Sequence, residues 1–158
     1  MKTHHYRTHL RWTGNTGKGT KNYRAYSRNH DLSAPGKTTT ISGSADPKFR
    51  GDPARYSPED LLCQSLAACH MLWYLHLCAV NKVVVTAYED DTEGEMMEED
   101  DGGGQFTSVT LRPRVTVSEA GMMDTARELH AEAARFCFIA RSVNFRVVHV
   151  PEILVGGE

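Results

Sequence analysis

Four cysteines are the residues of this sequence best suited to covalent chemistry. Three of them, Cys63, Cys69 and Cys78, lie within residues 57–80, SPEDLLCQSLAACHMLWYLHLCAV, and the fourth, Cys137, lies in ARFCFIARSVNF. A thiolate attacks peroxides, and the sulfenic acid that results condenses with a second thiol to form a disulfide. The competing interpretation is that each cysteine is a small buried packing residue, which is the commoner role of this side chain.

The cysteines and the eight histidines are not spaced like the ligands of a structural metal site. Cys-x-x-Cys does not occur, and the adjacent side chains of Cys69 and His70 point about 100° apart on a helix. His130-Ala131-Glu132 resembles the His-x-Glu of zinc deaminases, but no Pro-Cys-x-x-Cys follows it. We interpret this pair as an exposed patch of helix, and we predict neither a metal nor a cofactor.

Helical spacing separates Cys69 from the other two cysteines of its segment. Cys63 precedes it by six positions and Cys78 follows it by nine. Neither sulfur reaches Cys69 on an intact helix, so both are predicted to be packing residues.

The overall composition predicts one domain that spans residues 1–158. The apolar content is 40%, charges of both signs are mixed, and the formal net charge is −2. Because Lys and Arg are scattered, no nucleic-acid partner is predicted. The first residues, MKTHHYRTHLRW, contain no apolar signal segment, which predicts a cytoplasmic protein with reduced thiols.

The cysteine-rich segment predicts a long helix. Ser57 is a suitable N-cap, Pro58 suits the first helical position, and Glu59 with Asp60 complements the positive end of the helix dipole. Apolar residues then fall on nearly every face, which predicts a central, buried helix.

The same segment is long enough to span a bilayer. Gln64, Ser65, His70 and His76 interrupt its apolar run, and such groups are costly in lipid. We therefore predict a soluble protein with no membrane association.

The rest of the chain predicts mixed α and β structure. Thr, Tyr and partial alternation predict an antiparallel meander at residues 5–12, 22–32 and 37–43, followed by an ordered loop at 45–56. β-Branched residues predict strands at 82–88, 106–117 and 144–155. An apolar stripe predicts a helix at 118–136. The acidic run between the first two of those strands, EDDTEGEMMEEDDGGG, lacks EF-hand spacing and is predicted to be a solvated hairpin loop.

Two cysteine-containing segments resemble the family of osmotically inducible protein C and organic hydroperoxide resistance protein. SPEDLL at residues 57–62, followed by AAC at 67–69, is similar to the (T/N)PEEL…AxC pattern of that family, with Ser57 in place of the usual Thr or Asn. CFIARSV at residues 137–143 resembles its second cysteine motif. The order of predicted elements is also similar, and CHMLWYLHL resembles an OsmC-like subgroup.

The resemblance implies an α+β fold, with antiparallel strands around the central helix, and an intertwined homodimer with active sites at the subunit interface. It also implies a thiol peroxidase that reduces organic hydroperoxides. Cys69 would form the sulfenic acid, Cys137 would capture it as a disulfide, and an external dithiol, often lipoyl-type, would restore both thiols.

The resemblance further implies an arginine that stabilises the reactive thiolate and is held by the glutamate of the PEEL motif. Glu59 matches that glutamate, and Arg24 or Arg28 is favoured for the arginine over Arg50 and Arg55.

Glu59 and Cys69 are ten residues apart, roughly 15 Å on a straight helix. That distance is explained if a long arginine bridges the two residues, if the helix is broken, or if Glu59 acts in the site of the other subunit.

Two other function classes stay open at the sequence level. A non-catalytic protein of the same fold would bind an apolar ligand between subunits, lined by residues such as Met71, Leu72, Trp73 and Phe136. A thiol-dependent hydrolase or transferase would need a histidine base beside Cys69.

Overall fold

The computed structural model describes residues 1–156, which fall into two compact units that divide between Leu61 and Leu62. The architecture is α+β, as predicted. The single-domain organisation stays a prediction.

The unit of residues 1–61 contains a three-stranded antiparallel sheet. Its strands are β1 (His9–Trp12), β2 (His30–Ser33) and β3 (Ile41–Gly43), in that order. The predicted meander is confirmed, although the strands are only three or four residues long. Residues 22–32 were predicted to be one strand, but Asn22 bends the chain where its side chain accepts a hydrogen bond from the Arg24 amide, so that strand starts at His30.

Helix α1 (Pro58–Val80) begins and ends where the sequence predicts. The Ser57 hydroxyl accepts a hydrogen bond from the Asp60 amide, and the Asp60 carboxylate accepts one from the Ser57 amide. These reciprocal bonds pair two amides at the helix start that would otherwise lack a partner.

One stripe of α1 is completely buried. It consists of residues at i, i+4 spacing: Leu66, His70, Tyr74 and Cys78. Outside this stripe, Leu72 is 63% exposed in a single copy of the chain. The helix is long and apolar enough to cross a membrane by length and composition alone, but its buried stripe packs on protein.

The unit from Leu62 onward contains two three-stranded sheets and a second helix. In chain order its elements are β4 (Val85–Asp90), β5 (Glu93–Glu98), β6 (Gly104–Leu111), β7 (Pro113–Val117), α2 (Met123–Phe136), β8 (Arg146–His149) and β9 (Glu152–Val155). One sheet has the order β4-β7-β9 and the other has the order β5-β6-β8. The pairs β6–β8 and β7–β9 are parallel, whereas β4–β7 and β5–β6 are antiparallel.

Two segments predicted as single strands are each divided between the two sheets. Residues 106–117 break at Arg112, whose amide donates to the Asp90 side chain at 2.8 Å instead of to a backbone carbonyl. Pro113 follows and has no amide hydrogen to continue the ladder. Residues 144–155 break between His149 and Glu152; the Val150 amide donates to the Leu111 carbonyl at 2.9 Å, and Pro151 then has no amide hydrogen.

The predicted loop in the acidic run is wrong, because that run contains β5. Every residue of β5 is exposed. Its backbone pairs with β6, which needs no buried side chain, and its three glutamates lie on the edge strand of a sheet. Charged residues on an edge strand are a common means of preventing association with other strands.

Helix α2 ends at Phe136 as predicted but starts at Met123, after a 3₁₀ turn at Ala120–Met122. The interpretation of His130 as part of an exposed patch is wrong, because His130 is 2% exposed. It lies on the buried stripe of α2 together with Ala126 and Ala133.

Two apolar clusters form the core of the unit from Leu62 onward. The larger packs Tyr74 and Cys78 of α1 against β7, β9 and α2, and the smaller packs Leu66 against Val109 and Leu111 of β6. Both clusters hold α1 in place, so they fix the position of the cysteine that it carries.

Candidate thiol site

The structure brings Cys69 and Cys137 together. Cys69 lies in α1 and is half-buried, whereas Cys137 is the residue directly after α2 and is 1% exposed. The two thiols lie close enough to interact, and both are free thiols rather than a disulfide. Of the two residues, Cys69 is the more exposed to solvent.

The surroundings of Cys137 favour its protonated form. Burial raises the pKa of the Cys137 thiol to about 11, and the neighbouring Cys69 thiol acts in the same direction. The amides of Ala140 and Ile139 lower the pKa in part, because they donate to the sulfur; the Ala140 contact is 3.4 Å.

The turn after α2 supplies those amides. The helix ends at Phe136 and the chain then turns through a 3₁₀ segment, Ala140–Ser142. Successive amides at the start of this turn point back to Cys137. The sequence CFIARSV therefore places a thiol where backbone donors can stabilise negative charge on it.

Aromatic rings lie on both sides of Cys137 in sequence. Trp73 of α1 stacks on Phe136 with ring centroids 5.1 Å apart and contacts Phe138 edge-on at 5.7 Å. Phe138 is 67% exposed. Of the apolar residues named from the sequence as a possible pocket lining, Trp73 and Phe136 are in contact.

The two remaining cysteines lie in packed surroundings, in agreement with the sequence prediction. Cys78 is 1% exposed in the larger cluster, and burial raises the pKa of its thiol. Cys63 packs on the smaller cluster and lies against Gly94 of β5.

The predicted activating residues all lie in the unit of residues 1–61. The Arg28 guanidinium donates to the carbonyls of Tyr23 and Tyr26 at 2.7 Å and stacks over both rings. Arg24 is exposed, and its amide is bonded to Asn22. These contacts do not test a role of either arginine beside Cys69, which stays a prediction.

Glu59 lies in the first turn of α1, and its Oε2 atom is buried without a hydrogen-bond partner among the described residues. Because α1 is continuous from Pro58 to Val80, a broken helix does not explain the spacing between Glu59 and Cys69. Arg55, a less favoured arginine, also has a buried Nη1 atom with no hydrogen-bond partner in the described chain.

Sequence reasoning missed a group of three histidines, which consists of the buried His70 and His130 and the half-buried His149. A usable signal was present: His70 lies at i+4 from Leu66 and i−4 from Tyr74, both apolar or aromatic, and such spacing marks one face of a helix. Within residues 1–156, no group of three His, Cys, Asp or Glu residues is arranged to hold a metal ion.

The fold and the adjacent thiols define a class of α+β protein with one cysteine on a long helix and a second after another helix. The family model described as OsmC-like protein matches residues 51–150. The chain therefore belongs to the OsmC-like protein family, as the resemblance of its two cysteine motifs predicted.

Solved structures extend this likeness over almost the whole chain. An OsmC-like protein of unknown function from Vibrio cholerae is 28% identical, with a TM-score of 0.82 over 96% of this chain and 100% of that one. An organic hydroperoxide resistance protein from Legionella pneumophila is 15% identical, with a TM-score of 0.70 over 98% of this chain and 99% of that one. The organic hydroperoxide resistance protein OhrB of Bacillus subtilis is 18% identical, with a TM-score of 0.63 over 95% and 98%. The comparison with curated protein sequences found no match.

Proposed function

We propose that the protein is a thiol peroxidase that reduces organic hydroperoxides. The observation that carries this proposal is the contact between a partly exposed thiol, Cys69, and a buried one, Cys137. This is the arrangement that a sulfenic acid and its resolving thiol require. Membership of a family that includes organic hydroperoxide resistance proteins supports the choice of substrate.

The reaction proceeds in three steps. The Cys69 thiolate attacks one peroxide oxygen; an S–O bond forms, the O–O bond breaks, and the alkoxide takes a proton and leaves as the alcohol. Cys137 then attacks the Cys69 sulfenic acid, an S–S bond forms and water leaves. An external dithiol, for which we propose a lipoyl-type compound, reduces the disulfide and becomes a disulfide itself.

The raised pKa of Cys137 supports this division of roles. A thiol with a pKa of about 11 is protonated at neutral pH and does not compete with Cys69 for peroxide. Once Cys69 carries oxygen, no thiolate remains beside Cys137. The backbone amides of Ala140 and Ile139 then favour loss of its proton.

Glu59, with Arg24 or Arg28, is proposed to stabilise the Cys69 thiolate, as the family resemblance implies. Replacement of Arg55 provides the comparison with replacement of Arg24 or Arg28, because the buried Nη1 atom of Arg55 has no hydrogen-bond partner among the described residues. Replacement of the activating arginine by Met lowers kcat/KM at neutral pH. The loss shrinks at alkaline pH, where the thiolate forms without help.

A coupled peroxidase assay tests the proposal directly. NADH consumption through lipoamide and its reductase is followed with tert-butyl hydroperoxide for the wild type, Cys69→Ser and Cys137→Ser. We expect turnover in the wild type and none in Cys69→Ser. Cys137→Ser should be oxidised once, at a similar rate, and should then stop at the sulfenic acid.

Cys78→Ser is the matched control, since it removes a buried thiol outside the pair. Its peroxidase rate should stay close to that of the wild type, provided that the variant is folded. The absence of turnover with any dithiol, together with thiols that stay reduced under peroxide, would rule out the enzyme. It would leave the apolar-ligand alternative, which the stacked Trp73 and Phe136 favour.

A cytoplasmic homodimer remains part of this proposal. The resemblance implies the dimer, and the exposed apolar side chains of Leu72 and Phe138 are available for an interface.

A further inference from the structure

Two buried histidines and a half-buried one form a contiguous group within the unit from Leu62 onward, which we call the histidine cluster. They are His70 of α1, His130 of α2 and His149 at the end of β8. His70 is 0% exposed and His130 is 2% exposed. The His70 Nε2 and His130 Nδ1 atoms are 3.0 Å apart, and the ring centroids of His70 and His149 are 4.4 Å apart. The proposed peroxidase chemistry does not use these side chains.

The cluster joins the two helices that carry the candidate thiols. His70 directly follows Cys69 in α1, and His130 precedes Cys137 by about two turns of α2. Tyr74 adds to the same junction, since its ring stacks on His130 with centroids 3.9 Å apart. The hydrogen bond between the two imidazoles is therefore a direct polar link between α1 and α2.

The charged and titratable groups around the cluster are few. From α1 these are Tyr74 and Cys78, and from β4 they are Tyr88 and Asp90. Asp90 faces His149. Within the described chain it is the carboxylate found to interact with the cluster.

Asp90 has one oxygen available. Its Oδ1 atom accepts hydrogen bonds from the Arg112 amide at 2.8 Å and from the Thr92 hydroxyl at 3.1 Å. Its Oδ2 atom is buried without a hydrogen-bond partner. Asp91 is the nearest further carboxylate that acts on it, and the Arg112 guanidinium pairs with Glu93 at the surface.

Several polar atoms of the cluster lack partners. They are His70 Nδ1, His130 Nε2 and His149 Nε2, together with Asp90 Oδ2 and the Tyr88 hydroxyl. Buried polar atoms without partners destabilise a fold unless something else compensates for them. The described residues hold no group arranged for a metal ion. A neutral imidazole carries one N–H and one lone pair, so in the hydrogen-bonded pair of His70 and His130 one of the two unpartnered nitrogens has a free lone pair and can accept a proton without rearrangement.

Burial opposes that protonation in the folded chain. It lowers the pKa of His70 to about 3 and that of His130 to about 4, and the neighbouring His149 acts in the same direction on both. Burial also lowers the pKa of His149, which Asp90 opposes. An unfolded histidine has a pKa near 6.5.

The sign of the pH dependence follows from these shifts. Below about pH 6.5 the unfolded chain binds protons that the folded chain excludes, so stability is full above this value and is lost as the pH falls. Burial raises the pKa of Asp90, which has the opposite effect and offsets a part of the loss.

The order of protonation determines the structural consequence. The first proton is best accommodated on His149, where the free oxygen of Asp90 provides a counter-charge. A second proton must enter His70 or His130. With one of the two protonated, its N–H still donates to the neutral partner. A third proton would leave both imidazoles charged, with two N–H groups facing each other across 3.0 Å, and the hydrogen bond between them cannot then persist.

We propose that the histidine cluster is an acid-sensitive link between α1 and α2, which opens on protonation and separates the helices that carry Cys69 and Cys137. This regulation goes beyond the peroxidase proposal and does not depend on it, since the link can open whether or not the thiols reduce peroxide.

The first test counts protons in the wild-type protein, so it depends on no variant. Urea unfolding is followed by circular dichroism from about pH 7.5 to about pH 5. For each histidine that takes up a proton only on unfolding, the unfolding constant rises tenfold for every unit by which the pH falls. We expect a limiting slope between two and three protons; a slope below one would overturn the proposal.

The second test measures whether opening of the link makes the thiols accessible to a reagent. Labelling with 4,4′-dithiodipyridine at graded pH, mapped by mass spectrometry, reports on Cys137 separately from the other cysteines. We expect Cys137, buried at neutral pH, to become labelled near pH 5 while helical structure is retained. Continued protection of Cys137 at that pH would mean that the link stays closed.

His130→Asn and His149→Asn should each lower the proton count by about one. His76→Asn is the control, because His76 is exposed on the same helix α1 and lies outside the cluster. An equal effect of His76→Asn contradicts the assignment to the cluster. A stoichiometric metal that copurifies, and whose removal by EDTA eliminates the pH response, would also overturn the proposal.

Discussion

At the scale of single residues, Tyr74 and Tyr88 differ in what their hydroxyls contact. The Tyr74 hydroxyl donates to the Ala126 carbonyl at 2.9 Å, so it ties α1 to α2. The Tyr88 hydroxyl is buried but has no hydrogen-bond partner among the described residues. Burial raises the pKa of both phenols, so both stay neutral over the ordinary pH range.

This difference predicts opposite outcomes for the same substitution. Tyr74→Phe should lower the free energy of unfolding by about 1 kcal/mol, because it removes a satisfied buried hydrogen bond. Tyr88→Phe should leave stability unchanged or raise it slightly, because it removes a desolvated hydroxyl. Urea midpoints measured by circular dichroism compare the two, and equal losses would contradict the hydrogen-bond assignment.

Residue chemistry was predictable only where the sequence carried a motif. Cys69 and Cys137 could be paired by family resemblance, and their contact agrees with this. The histidine cluster could not be found in this way. His149 lies in a different strand, and its approach to His70 and His130 depends on tertiary packing rather than on spacing.

At the scale of elements, β5 approaches α1 at Gly94, a residue with no side chain. A Cβ atom at this position would stand 2.7 Å from both Cys63 Sγ and Phe106 Cε1. The glycine therefore permits close approach of strand and helix.

Gly94→Ala should lower the free energy of unfolding by about 1 to 3 kcal/mol, because the added methyl group overpacks this contact. Gly121→Ala is the matched control, since a Cβ atom there meets nothing within 4 Å. Adding Cys63→Ala to Gly94→Ala should recover a part of the loss. If the effects of the two substitutions on the free energy of unfolding are additive, the Cys63 side chain is not what the added methyl group contacts.

The elements themselves were largely predictable, and their exact extents were not. The start of α1 followed from its capping residues, because Ser57 and Asp60 act through local backbone bonds. Strand β5 was missed, since its pairing depends on β6 and its own side chains carry no apolar alternation. The breaks at Arg112 and Pro151 depend on which sheet each half joins.

At the scale of the whole molecule, the proposed homodimer can be tested through α1. Leu72 is an apolar side chain that is 63% exposed in one copy of the chain. If a second copy covers it, Leu72→Glu places a charge in an apolar interface and dissociates the dimer.

Light scattering after size exclusion should give about twice the 17.6 kDa chain mass for the wild type and the chain mass for Leu72→Glu. Gln64→Glu is the control, because Gln64 is also exposed on α1 but is already polar. A wild-type protein that elutes at the chain mass would contradict the dimer. A Leu72→Glu variant that stays dimeric would show that the dimer interface does not include Leu72.

The parallel pairings have a consequence for synthesis of the protein. Ser108 of β6 pairs with Arg146 of β8, and Arg114 of β7 pairs with Glu152 of β9, so partners in both sheets are 38 positions apart. At the usual rate of translation, β6 and β7 wait roughly 2 to 8 seconds for these partners to leave the ribosome. During that interval β6 and β7 each present one unpaired edge to the cell. Folding of this unit must therefore wait for β8 and β9 to be synthesised, and a chaperone that shields nascent strands would increase its yield.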